Sequence, residues 1–200
     1  MKILFITPYI TSTKDAKFMH NQTGLGYMVH DIAEWVGKKE NVSLFTVSII
    51  CKEQVIDGFR VIGRSWINFI FSFRLHNLLA SLSFIKKYPQ SFKDNIRCIF
   101  KFLSIGEVEK IIRNFDILHI HGCSPITEAT IRACQRYNIP FLVTLHGLIS
   151  FEEGVIAHRS LKKYERDFLL TAYKKGWPVS FISTGNKETA EDFIINQIKV

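Results

Sequence analysis

Phe115-Asp116-Ile117-Leu118-His119-Ile120-His121-Gly122 and Val143-Thr144-Leu145-His146-Gly147 are two short apolar runs that each end in His-Gly. Runs of this length, bounded by glycine and without clean alternation, read as strands covered on both faces. Between them, Ile126 to Tyr137 carries helical spacing. Strand, helix, strand is the unit of a parallel sheet. Working outward, Lys2–Thr7, Val42–Ile50, Phe59–Ile62 and Val179–Ser183 have the same strand character. Leu25, Met28, Val29, Ile32, Ala33 and Val36 form an amphipathic helical stripe closed by Gly37, and Leu161 to Lys175 is a further helix. The expected fold is α/β, a doubly wound and mostly parallel Rossmann-like sheet. Ligands of such sheets bind beyond the carboxyl ends of the strands. The loops after Thr7, His121, Leu145 and Ser183 are therefore the ones to watch.

Composition sets the outer limits. Two hundred residues suit one domain, 1–200. A hydrophobic fraction of 47% excludes a disordered chain. The net charge of +8 points to an acidic partner: nucleic acid, an anionic membrane surface or a phosphorylated substrate. Cys51, Cys98, Cys123 and Cys134 lack CxxC spacing, which argues for reduced thiols and against a zinc site or disulfide framework. The apolar start, Met1 to Ile6, ends at Thr7-Pro8 without a cleavage site and reads as a first strand, not a leader. Trp66 to Ile85 is interrupted by Arg74 and His76 and does not read as a membrane span.

Arg60 to Arg113 stands apart. It holds ten Lys or Arg against Asp94, Glu107 and Glu109, which is +7 of the chain's +8. Ile67, Ile70, Phe71, Leu75, Leu78, Leu79, Leu82 and Ile85 make one helical stripe, and Phe92, Ile96, Ile99, Phe100 and Leu103 another. Ser104-Ile105-Gly106-Glu107 has capping-box form ahead of Val108. Two readings of the segment stay open: an interfacial helix pair on anionic lipid, and helices packed on the sheet with solvated cations outside. No nucleic-acid motif accompanies it, so nucleic acid is not expected as a partner.

Four patterns carry candidate chemistry. Gly24, Leu25 and Gly26 open the first helix, where N–H groups suit phosphate, and a glycine turn without ligand stays equally open. Sixteen residues separate Thr7 from Gly24, so this is not a dinucleotide fingerprint. Period two puts His119 and His121 on one strand face, read as a hydrogen-bonded core His119 and a site-facing His121 and not as metal ligands. His146 ends the second strand and brings another imidazole to the same cleft. Glu152-Glu153 reads as a solvated loop, and Ser183 or Thr184 as the cap of a final helix.

The ordered set, from Lys2-Ile3-Leu4-Phe5-Ile6 through Thr23-Gly24-Leu25-Gly26, Asp116 to Gly122, Thr144-Leu145-His146-Gly147 and Ile182-Ser183, resembles the N-terminal half of a GT-B glycosyltransferase of the retaining, group-1, family-four type. Thr23 stands where the family often has the first of two glycines. The resemblance implies transfer of a sugar from a nucleotide-sugar donor to a glycan or lipid-linked acceptor in surface polysaccharide synthesis. It implies no metal and no cofactor beyond that donor substrate. It places Gly24, Leu25 and Gly26 at phosphate, His146 as the catalytic-site residue beside the transferred sugar, and His121, Gly122 and Gly147 along the cleft. The acceptor-side half commonly carries basic, apolar helices that touch membrane, which matches residues 60–113. The expected location is cytoplasmic, peripheral at the inner face of the membrane. The family's nucleotide-binding half is expected outside this chain, leaving the chain alone inactive. A noncatalytic membrane- or acceptor-binding subunit of a split transferase and an unrelated nucleotide-binding enzyme are the alternatives.

Overall fold

A computed structural model describes residues 1–11, 24–50, 53–64, 72–152 and 159–198. Thr23, Cys51, Ile67, Ile70, Phe71 and Glu153 lie outside the described residues. The elements run β1 (Lys2–Thr7), α1 (Gly24–Gly37), β2 (Asn41–Ile50), β3 (Gln54–Ile56), β4 (Phe59–Arg64), α2 (Leu75–Lys87) and α3 (Phe92–Ile111). A 3-10 turn (Ile112–Asn114) leads to β5 (Ile117–His121), α4 (Pro125–Tyr137), β6 (Phe141–Leu145), α5 (Arg159–Lys175), β7 (Val179–Phe181) and α6 (Thr184–Ile198). One seven-stranded sheet has the order β3-β4-β2-β1-β5-β6-β7. Every pairing is parallel except β3 with β4. The chain is thus an α/β doubly wound, Rossmann-like domain.

The period of two decides which side chain serves which layer. On β1, Ile3 and Phe5 join Val29 and Ala33 of α1 in one core cluster, while Leu4 and Ile6 join the larger cluster built with α2 to α6. Leu118 and Ile120 on β5, and Val143 and Leu145 on β6, point to the larger cluster. The alternate residues, His119, His121 and Thr144, therefore share the opposite face. Phe5 lies on that face, 4.8 Å from the His119 ring and 4.9 Å from the His121 ring. The polar side chains of the site are placed by strand parity alone.

Two expectations are corrected, and the direction of one stripe is settled. Ser104-Glu107 does not cap a helix. Ser104 lies inside the continuous α3 and its hydroxyl donates to the Phe100 carbonyl at 2.7 Å, a bond within the same helix. The cap of α3 is Ser91, which accepts from the Asp94 amide. β4 extends to Arg64, and it gains a partner the sequence reading missed. Gln54–Ile56 folds back on it through Asp57 and Gly58, both at positive φ (50° and 84°), the geometry of a two-residue hairpin turn. Finally, the stripe on α2 is split: Ile85 packs against the larger core cluster, and the other end faces outward. Leu75, Leu79 and Leu82 are 62%, 58% and 49% exposed, whereas Asn77, Ser81 and Phe84 are buried. Ser183 does cap α6, accepting from the Asn186 amide at 3.2 Å.

Candidate functional site

Strand order reverses between β1 and β5. From β1 the chain proceeds to β2 on one side, and from β5 to β6 on the other. Crevices form at the carboxyl edge of such a switch point. Two predicted residues meet across it. Gly122 follows β5 at φ +83°, and a β-carbon there would lie 3.9 Å from Leu25 in the first turn of α1. The Gly122 amide donates to the Thr144 carbonyl at 2.8 Å, and its carbonyl accepts from the Thr127 hydroxyl at 2.9 Å. That fixes the turn from β5 into α4.

The two outer positions of the glycine segment differ. Gly24 has open space where a β-carbon would be. Gly26 does not: its β-carbon would lie 2.2 Å from the Thr11 hydroxyl and 3.0 Å from the Thr11 amide nitrogen. Gly26 is buried, and its missing side chain is spent on this close approach of chain to chain. The family resemblance places both glycines at phosphate. The structure assigns Gly26 a packing reason.

Three imidazoles gather beside this seam. His121 Nδ1 and His146 Nε2 lie 2.9 Å apart. The His119 and His121 rings stack with centroids 4.1 Å apart. His119 Nε2 meets the Thr144 hydroxyl at 2.7 Å, and that hydroxyl meets the Ser180 hydroxyl at 2.6 Å. A polar chain therefore crosses β5, β6 and β7. His121 was expected to face the cleft. It is fully buried beneath His146, which is the half-buried ring of the pair. Burial holds all three rings neutral. It pushes His121 down to about 2, aided by the other two imidazoles, and His119 down to about 4, aided by His146. It lowers His146 as well. Neutral imidazoles offer a hydrogen-bond donor or acceptor without a fixed charge.

The turn after His146 meets two carboxylates, Glu152 and Glu165, of which the sequence reading passed over Glu165. Glu152, expected to be merely solvated, accepts from the Leu148 amide at 3.3 Å, and a β-carbon on Gly147 would lie 3.0 Å from the same oxygen. Glu165 of α5 is buried and accepts from the Ser150 amide at 2.7 Å and the Ser150 hydroxyl. Burial raises the Glu165 pKa, opposed by those donors. A signal existed in the sequence: Glu165 interrupts the apolar stripe of Phe168, Leu169 and Ala172.

A cavity of about 320 Å³ lies on the other face, among α2, α4 and α5. Of its cations, Lys87 pairs with Asp167 at 3.1 Å, Arg132 pairs with Glu128 at 2.8 Å, and Lys175 lies over the Trp177 ring at 5.1 Å. Among the described residues, His30, Asp31 and Glu34 on α1 bring their ligand atoms within 4.8 Å. Two of these are exposed acids and His30 is engaged by Asp57 at 3.0 Å, so we assign the group no metal.

No curated protein matches the chain. Among solved structures, sucrose-phosphate synthase from Thermosynechococcus elongatus is similar at 12% identity and a TM-score of 0.48, covering 90% of this chain and 47% of that one. An E. coli structure described as trehalose-6-phosphate bound with UDP-2-fluoro glucose is similar at 11% identity and a TM-score of 0.45, covering 98% of this chain and 43% of that one. The chain thus spans less than half the length of these structures. The sequence profile of Glycosyltransferase Family 4 matches residues 24–200, most of the chain, and with the seam of α1, β5 and β6 described above this chain belongs to that family.

Proposed function

We propose that this chain is the acceptor-side half of a retaining GT-B transferase. That enzyme moves a sugar from a nucleotide-sugar to a glycan or lipid-linked acceptor in surface polysaccharide synthesis. The observation that carries the reading is the His121–His146 pair, within hydrogen-bonding geometry at the ends of β5 and β6, with Gly122, the residue after His121, beside Leu25 in the first turn of α1. Imidazole and helix-start N–H groups at one cleft suit sugar hydroxyls and phosphate oxygens. His146 lies by the transferred sugar, with Gly24 and Leu25 toward phosphate. In that enzyme the donor's nucleotide is bound by a second domain. No metal or cofactor takes part beyond the donor substrate.

The test compares the native protein, captured from cells by antibody to this domain, with the isolated chain, over a panel of nucleotide-sugars and membrane-extracted acceptor. The native protein should transfer sugar, and His146→Ala should abolish most of that transfer while leaving the fold intact. Transfer unaffected by His146→Ala would remove His146 from the site. Robust turnover by the isolated chain would overturn the division between domains.

The acceptor is reached from a membrane surface, at the cytoplasmic face. Exposed Leu75, Leu79 and Leu82 on α2 and Phe92 on α3 support this. Between Ser72 and Arg97, Arg74, Lys86, Lys87, Lys93 and Arg97 stand against Asp94 alone. The segment's other acids, Glu107 and Glu109, are buried. An apolar stripe edged by cations is the pattern of an interfacial helix. Among the described residues, no helix is long and apolar enough to cross a membrane. Flotation with anionic vesicles should carry the chain upward at low salt. Flotation indifferent to lipid charge, to salt and to Leu75→Ser/Leu79→Ser would refute the interface.

A further inference from the structure

Two hollows adjoin between α2 and α4. One is the cavity of about 320 Å³ that α5 also walls, and the other measures about 450 Å³. Ser83 of α2 and Arg132 and Gln135 of α4 line both, so the two form one groove. Each part lies within the range of ligand sites, about 300–1,000 Å³. The charges of the groove pair with one another. Asp167 takes Lys87 at 3.1 Å and the Tyr88 hydroxyl at 2.8 Å, and Glu128 takes Arg132 at 2.8 Å. Glu109, whose side chain has no exposed surface, takes Arg136 at 2.7 Å and His76 Nε2 at 3.0 Å. Lys175 has no acid partner among the described residues and lies over the Trp177 ring. An anion entering the groove would have to displace a carboxylate already in place. The groups left over carry no charge. Ser83 and Gln135 are exposed, stand where the hollows meet and have no hydrogen-bond partner among the described residues. A hydroxyl and an amide each donate and accept. Phe84, Phe168 and Trp177 supply apolar walls.

We propose that this groove binds an uncharged oligosaccharide, at a site separate from the imidazole cleft. The groove lies on the opposite face of the sheet, where Phe84 and Phe168 pack with the larger core cluster. Each hydroxyl of a sugar donates and accepts, which needs donors and acceptors side by side and no net charge. The C–H face of a sugar ring packs on aromatic walls. An aliphatic chain in the groove would leave the amide and the hydroxyl unpaired. Two joined hollows suit a ligand of more than one ring, held at their junction by Ser83 and Gln135. The site goes beyond the transferase reading and stands without it, because the groove recognises sugar through its own residues.

The test is retention of this chain, fluorescently labelled, on an array of immobilised neutral and acidic oligosaccharides. Neutral oligosaccharides should retain it, and the same sugar added free should compete. The double variant Ser83→Ala/Gln135→Ala loses two hydrogen bonds and should bind about tenfold more weakly. Both residues are exposed, so the variant keeps its fold. His146→Ala, which alters the cleft, should leave retention unchanged. Retention on acidic sugars alone overturns the proposal, as does no retention at all. Retention that falls in His146→Ala and survives the double variant also overturns it. That result would put the sugar in the cleft and leave the transferase reading standing. The expected pattern, in turn, establishes the groove whether or not the native protein transfers sugar.

Discussion

Replacing Gly26 by alanine sets two forces against each other. In a helix, alanine is favoured over glycine by about 1 kcal/mol at most. Here, however, the new β-carbon would sit 2.2 Å from the Thr11 hydroxyl and 3.0 Å from the Thr11 amide nitrogen. Thr11 is only 1% exposed, so its side chain has little room to rotate away, and the backbone atom cannot. Overpacking of this kind costs about 1–3 kcal/mol, with this contact near the upper end. The net expectation is a loss of about 2 kcal/mol, or roughly 4–8 °C of melting temperature for a chain of this size. Gly24→Ala is the internal control. It meets nothing within 4 Å and should melt at or slightly above the parent. Thermal unfolding followed by circular dichroism on both variants reads the difference. A Gly26→Ala chain as stable as Gly24→Ala would refute the packing explanation and return Gly26 to a purely ligand-facing role.

Three further outcomes are expected. Gly106→Ala, in the interior of α3, should lower the melting temperature where an ordinary helix glycine would raise it, because its β-carbon would lie 1.9 Å from the Ser72 carbonyl oxygen; scanning calorimetry gives the sign. Thr144→Val keeps the shape but strips His119 and Ser180 of their shared partner, and chemical denaturation should show a loss of about 1–3 kcal/mol. The third concerns pH. His119 and His121 have folded pKa values depressed to about 4 and about 2, below the ordinary 6.5, so the unfolded chain binds protons first as pH falls. Stability is therefore full above pH 6.5 and declines below it by up to about 1.4 kcal/mol per pH unit for each buried ring, continuing to about pH 4 for His119. Melting temperatures between pH 7 and 5 should fall more steeply in the parent than in His121→Asn, and equal slopes would contradict the neutral buried ring.

Much of the fold was legible because its strands are buried on both faces and bounded by sharp punctuation. β1, β5 and β6 end where Pro8, Gly122 and His146-Gly147 stop an apolar run. β3 was missed because three residues carry little pattern, although Asp57-Gly58 marked the turn. Ser104 misled because a Ser-x-x-Glu sequence has cap form whether or not the chain before it is already helical. On α2, spacing revealed a stripe but not its direction, since periodicity does not say which side the rest of the protein occupies. The site divides the same way. His119, His121 and His146 were visible as strand-end residues on one parity. Their pairing depends on the register that sets His121 beside Thr144, and Gly26 depends on Thr11, across a stretch of chain that no local rule spans. Glu165 reaches the turn after His146 from a helix that begins thirteen residues later.

The small hairpin of β3 and β4 has a consequence for how the protein behaves in a crowd. Without it, β4 would end the sheet with a bare row of amide and carbonyl groups, open to pairing with a strand of another molecule. Three antiparallel residues cover the first half of that row, opposite Phe59, Arg60 and Val61, and the turn that folds them back depends on Asp57 and Gly58 holding left-handed backbone angles. Asp57 is also tied down by His30, so the turn is anchored to α1. The hairpin is a guard as much as a structural element. Loosening it would leave the core standing while removing the barrier to strand-by-strand self-association, and the first symptom would be lost solubility.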